Sequence, residues 1–223
     1  MTSTVAPNPA YGAGLPTGWT VQNALSSNNG GGDQNMVNGG NAPTSFSQAF
    51  SSAANGFLFE NGDIATALQT AGSLTAITTG VGYLAKFYWG GGTLTNLYLD
   101  VITAGSSLTH GWLAVFDSSG TQWGITADQG GTAFGSTGVR TFALATATVL
   151  PTGWYRSYVL AVGTTGPKLA PAFPAISATA NADLAAGSYR FSTLGSSLSA
   201  VPASLTLASE TSDVAIEYWV AGS

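Results

Sequence analysis

From residue 57 onward the chain alternates apolar and polar positions in short stretches separated by turn-forming residues, the pattern of strands that bury one face. Across residues 93–103, Leu97, Leu99, Val101 and Thr103 share one side and Tyr98, Asp100 and Ile102 the other, since successive side chains of an extended chain point in opposite directions. Trp112, Ala114 and Phe116 alternate in the same way with Leu113, Val115 and Asp117. Asp117-Ser118-Ser119-Gly120 then combines a carboxylate that can bond its own backbone with a glycine that tolerates positive φ, so residues 121–126 are expected to run back as a hairpin arm. Residues 139–145 read as a further strand. Leu150-Pro151-Thr152-Gly153 turns the chain into the strongest one, residues 154–162, with Trp154, Arg156, Tyr158, Leu160 and Val162 on one side. A last strand is predicted over 213–220, where Val214, Ile216, Tyr218 and Val220 alternate with Ala215, Glu217 and Trp219. Helix is hinted only at 61–70 and 183–186, both short or rich in turn formers. The expected fold is therefore all-β: a jelly-roll-like antiparallel β-sandwich over residues 56–223.

Residues 1–55 follow no such pattern. They are rich in Asn, Gly, Ser, Ala and Pro, with runs such as Asn28-Asn29-Gly30-Gly31-Gly32, and their apolar residues are too sparse to form a stripe. Such a stretch cannot bury a core of its own. It is expected to be an extended N-terminal arm that gains its order against a neighbouring subunit, with Tyr11, Leu15, Trp19, Val21, Phe46 and Phe50 as its assembly contacts. Leu-Pro-Thr-Gly-Trp occurs at 15–19 and again at 150–154, but the flanks do not continue the match, so it reads as a reused turn and not as a duplication.

Composition narrows the partners. Charged residues make up 7% of the 223-residue chain, against about 25% in ordinary soluble domains. Six Trp, eight Tyr, ten Phe and 44% hydrophobic residues supply ample surface for a core. No apolar run approaches the roughly 18 residues that a membrane-spanning helix needs, so no membrane partner is expected. The surface must be covered by hydroxyls, amides and glycine, which are far less costly to dehydrate than ions. That favours permanent packing in a large assembly. A net charge of −5 with only five Lys and Arg argues against a nucleic-acid partner. The chain has no cysteine, hence no disulfide or thiolate chemistry, and no positive charge before Lys86 with which to begin an ordinary secretory signal.

Catalytic devices are scarce. The single histidine, His110, is expected in a loop ahead of a strand; one imidazole without cysteines builds no multi-ligand metal site, and no Gly-x-Ser-x-Gly elbow accompanies it. Asp100, Asp117 and Asp128 are the carboxylates from which a glycosidase pair could be drawn, but Asp117 starts a turn and Asp128 ends a strand, jobs that favour Asp without catalysis. Calcium and phosphate loops are missing their signatures. No catalytic, cofactor or metal residue is therefore assigned, and no cofactor is expected. Trp89, Trp112, Trp123 and Tyr155 form a candidate glycan platform, although large aromatics serve burial first.

The stretches 99–128, 136–145, 150–155 and 162–167, including Trp112-Leu-Ala-Val-Phe-Asp117-Ser-Ser-Gly, Leu150-Pro-Thr-Gly-Trp-Tyr155 and Val162-Gly-Thr-Thr-Gly-Pro167, resemble a recurring β-sandwich module in structural proteins of tailed bacteriophages, of the minor-tail, fibre or head-decoration type, especially in phages of actinobacteria. The resemblance spans roughly residues 93–170. It implies a virion component assembled in the host cytoplasm, with other virion proteins and further copies of itself as partners and a trimer by analogy; it supplies no catalytic residues. The alternatives are a carbohydrate-binding or host-adhesion module and, less favoured, a glycoside hydrolase.

Overall fold

The computed structural model describes residues 56–62, 74–172, 181–213 and 215–223. The chain divides into two units, Met1–Ser51 and Ser52–Ser223, and every described residue belongs to the second. The proposed arm contacts Tyr11, Leu15, Trp19, Val21, Phe46 and Phe50 lie outside the described residues, as does most of the helix hint at 61–70.

Among the described residues the strands in chain order are β1 (Phe59–Glu60), β2 (Gly82–Trp89), β3 (Gly92–Thr103), β4 (Ser106–Asp117), β5 (Gln122–Ile125), β6 (Gly138–Leu150), β7 (Gly153–Thr165), β8 (Lys168–Leu169), β9 (Phe191–Leu194), β10 (Thr211–Ser212) and β11 (Ala221–Gly222), with a short helix, α1 (Gly130–Ala133), and a 3-10 turn at Leu207–Ser209. They form two antiparallel sheets. The first runs β1-β11-β3-β6, with β8 also pairing with β3, and the second runs β10-β9-β2-β7-β4-β5. The all-β sandwich expected from the alternation is the observed fold. Leu97, Leu99 and Val101 of β3 and Phe142 of β6 meet Tyr83, Phe87, Leu113, Val115 and Val159 of the second sheet in one continuous core.

The second sheet is buried over part of its outer face too. Leu84, Ala114, Phe116, Tyr158 and Leu160 pack against Leu205 and Leu207, with Leu194, Leu198 and Val201 alongside, so irregular chain between β9 and β10 forms a third layer. Burial on both faces explains why Tyr155 to Ala161 are buried without interruption in β7. Gly120 ties this layer to the β4–β5 turn: its carbonyl accepts Leu205 N at 2.8 Å. Its φ is +86°, and a Cβ there would lie 2.1 Å from Leu205 O, so both the turn and the close approach require glycine.

Three local expectations are corrected. The strand predicted over 213–220 is displaced: the ladder forms at β11, and Tyr218 makes only an isolated bridge with Pro171. Bonds from Trp219 N to Ala170 O and from Ala172 N to Glu217 O close this bridge, while the chain just ahead of it, β8 and Ala170, is committed to β3. The alternation itself holds, with Ile216, Tyr218 and Val220 in the core and Trp219 and Ala221 on the other side. His110 lies within β4 and not in a loop, beside a register shift between Leu108 and His110. The stretch 183–186 is not helical; Asp183 has φ 59°, which a right-handed helix does not accommodate.

Asp100 points outward from β3, yet it is 3% exposed, and among the described residues nothing hydrogen-bonds its Oδ2. Burial pushes its pKa above the ordinary carboxylate value. A group whose pKa rises on folding makes stability fall as pH climbs from its unfolded to its folded value. Asp100→Asn is therefore expected to raise the urea midpoint near pH 7, and the gain should vanish near pH 3, where the native Asp is also neutral, about one unit below its unfolded pKa. Equal midpoints at both pH values would contradict this reading of Asp100.

Candidate binding site

The third layer covers only part of the outer face of the second sheet. The strands β2 and β7 pair as Leu84↔Tyr158, Lys86↔Arg156 and Tyr88↔Trp154, and alternation puts all six on that face. Leu84 and Tyr158 are roofed over. Tyr88 and Trp154 are not: they are 52% and 54% exposed, with ring centroids 5.3 Å apart and planes at 70°.

The border between the two regions is ionic. Arg156 is buried and donates from Nη1 to Glu210 Oε2 at 2.7 Å and from Nη2 to Gly187 O at 2.6 Å. Glu210 is fully used as an acceptor, taking Gly187 N at 2.7 Å on Oε1 and Ser192 Oγ at 2.8 Å on Oε2. Burial lowers the Arg156 pKa more than the Glu210 charge and hydrogen bond restore it. Lys86, across from Arg156, places its Nζ 5.2 Å above the Trp154 ring centre, within cation–π range. Its pKa is lowered, first by burial and then by the Arg156 charge, with Glu210 opposing and Arg190 adding. Between these groups lies a cleft of about 450 Å³ lined by Asn61, Lys86, Trp154, Leu184, Ser188, Arg190 and Phe191. An adjoining recess of about 290 Å³ shares Lys86, Trp154 and Ser188 and reaches Tyr155 and Arg156.

Of the four aromatics of the expected glycan platform, only Trp123 and Tyr155 come together, edge-to-face with ring centroids 6.5 Å apart. Trp89 is 1% exposed and donates Nε1 to Leu150 O at 3.2 Å inside the core. Tyr155 is buried against Phe87, its hydroxyl donating to Pro151 O at 3.0 Å. Trp112 is half-buried beside the third layer and stacks on His110 at 5.3 Å. Trp123 is partly exposed, its Nε1 donating to Asp117 Oδ2 at 3.0 Å. The exposed pair that sequence reasoning passed over, Tyr88 and Trp154, carried a signal: Lys86-x-Tyr88 and Trp154-x-Arg156 each put a cation and an aromatic on one strand face.

The carboxylates are also apart. Asp117 Oδ1 accepts Ser119 N at 2.8 Å and Thr121 N at 3.0 Å, closing the turn. Partial burial pushes its pKa up, but these bonds, the Ser119 hydroxyl and Trp123 outweigh it and leave it below the ordinary value. Asp128 accepts Gly111 N and Gly130 N, each at 2.9 Å, and meets His110 Nδ1 at 2.6 Å. Asp128 is lowered likewise, burial opposing and the hydrogen bonds from His110, Gly111 and Gly130 prevailing. Asp128 is thus tied to Gly111 and Asp117 to the far end of the same strand. Six residues of strand separate those points, about 20 Å at roughly 3.3 Å per residue, whereas a glycosidase pair needs about 5–9.5 Å. Asp100 belongs to the other sheet. Among the described residues no three His, Cys, Asp or Glu side chains gather to hold a metal ion.

The fold and this cleft define a class: an antiparallel β-sandwich with a third layer on one sheet and an exposed aromatic and cationic cleft at that layer's edge. Compared with known proteins, the chain matches no protein family, no curated protein and no solved structure.

Proposed function

We propose that the chain is a non-enzymatic structural protein of a bacteriophage virion, associated with head or tail, that packs against other copies of itself and other virion proteins. The observation that supports this reading is β6. It is a 13-residue strand at the edge of the first sheet, and its one charged residue is Arg140. Its Val139 and Val149 are 47% and 69% exposed. Beyond β3, its backbone pairing among the described residues is the single bridge Thr126↔Leu144, where β5 approaches it. Free-standing proteins guard such edges with charges, prolines or short strands, because the open backbone groups template pairing with another chain. The fold withdraws charge further: Arg156, Glu210, Asp100 and Glu217 are all buried, in a chain with only five basic and ten acidic residues.

Mass spectrometry of purified particles tests this. The chain is expected at a fixed ratio to the major head or tail protein, and Ala145→Lys on the exposed side of β6 should leave the protein folded while lowering its incorporation about tenfold or more, the effect of a loss near 1.4 kcal/mol. Absence of the native chain from particles would overturn the reading. A second reading, a carbohydrate-binding or host-adhesion module, is favoured by a different observation, the exposed Tyr88–Trp154 pair beside the cleft.

A further inference from the structure

The cleft at the edge of the third layer combines features that burial alone does not call for. Three of the five basic residues of the chain, Lys86, Arg156 and Arg190, act on one another electrostatically in this one place, although the chain as a whole carries −5. Arg156 is matched by Glu210 at 2.7 Å. Lys86 is not matched: among the described residues no carboxylate forms an ion pair with it, and its ammonium lies over the Trp154 ring instead. A partly desolvated ammonium with no carboxylate of its own is held at an electrostatic cost, which an incoming anion relieves. The lowered pKa of Lys86 reports that cost.

Beside this cation stand Trp154 and Tyr88, more than half exposed and edge-to-face. A small anion has no use for them. A sugar ring does, because its C–H face lies against an aromatic plane while its hydroxyls reach polar side chains such as Ser188 at the cleft wall. The cleft volume of about 450 Å³ falls within the roughly 300–1,000 Å³ typical of small-ligand sites. We propose that this cleft binds an acidic saccharide, with the sugar ring against Trp154 and its carboxylate on Lys86. The inference rests on the second, carbohydrate-binding reading and is independent of whether the chain is a virion component.

Calorimetric titration of the full chain with a glucuronic acid-containing disaccharide, the matching neutral glucose disaccharide and glutarate tests it. The acidic sugar should bind at least about tenfold more tightly than either of the others. Lys86→Gln should remove that preference, Trp154→Ala should abolish binding of both sugars, and Val149→Ala, in the other sheet, should change neither. Raising salt from about 0.05 to about 0.5 M on the unaltered protein should weaken the acidic sugar alone, since screening acts on the charge contact. Equal binding of acidic and neutral sugars would overturn the acidic specificity while leaving the carbohydrate reading intact. No binding of either sugar would overturn both. Glutarate binding as tightly as the acidic sugar would overturn the role of the ring.

Discussion

Glu210→Gln is expected to cost about 3–5 kcal/mol of folding stability, the penalty for leaving a buried partner charge uncompensated. The substitution keeps the shape of the side chain and removes only its charge. Arg156, with a side chain 3% exposed, then faces a neutral amide at 2.7 Å. The consequences extend beyond the pair. Glu210 stands just before β10 and accepts from Gly187 N, Tyr189 N and Ser192 Oγ, so it fastens the segment ahead of β9 and the end of the third layer to the face of β7. Urea unfolding should show a lower midpoint with little change in slope, since the surface exposed on unfolding is nearly the same. Replacing both partners, as in Arg156→Met with Glu210→Leu, should recover most of the loss, because a matched apolar pair avoids the desolvation of two ions. A double variant no more stable than Glu210→Gln would show that the hydrogen bonds to Gly187 and Ser192, and not the unpaired charge, carry the effect.

Trp219→Ala should have a comparable effect, about 3–5 kcal/mol, as for other large aromatic deletions from packed interiors. Trp219 is fully buried although it points away from the main core. It packs with Ala170, Ala221, Tyr98 and Ile102, stands edge-on to Phe57 at 5.7 Å, and donates Nε1 to Glu60 Oε1 at 3.2 Å. Its backbone N also bonds Ala170 O at 2.8 Å. The residue thereby fixes the C-terminal stretch ahead of β11, where the bridge between Pro171 and Tyr218 is its ladder contact. Trp219→Phe keeps much of the apolar surface and should lose clearly less. Thermal unfolding of the three proteins checks the order, and an Ala variant as stable as the Phe variant would mean that the cluster is not a packed unit.

Much of the sandwich was legible. Leu97, Leu99 and Val101, and Leu113 and Val115, were placed on the correct faces because a two-residue period is a local property of extended chain. Asp117 was legible as a turn former for the same reason: its partners, Ser119 and Thr121, are two and four residues away. The candidate site was legible only in part. Trp154 and Arg156 were grouped on one side of β7, but Lys86 and Tyr88 on β2 lie about 70 residues earlier, and nothing local records that the two strands are neighbours in register Lys86↔Arg156. Trp89 and Tyr155, expected at a ligand, serve burial; both sit on the inward faces of strands whose outward neighbours, Tyr88 and Trp154, are the exposed ones. A one-residue step inverts the face, so an aromatic cluster read without register points to the wrong half of its members.

By itself the sequence determined that this is an all-β chain poor in charge, where its turns fall, and which side chains along a strand travel together. Those properties depend on dihedral preferences and on separations of a few residues. Only the tertiary structure decided that the side of β7 opposite the core is also covered, that Arg156 and Glu210 meet there inside the protein, and that the cover ends at Trp154, leaving the aromatic pair exposed and Lys86 half-buried beside it. Those outcomes depend on which segments distant in the chain come to lie together, and burial, charge pairing and exposure are set by that arrangement in space.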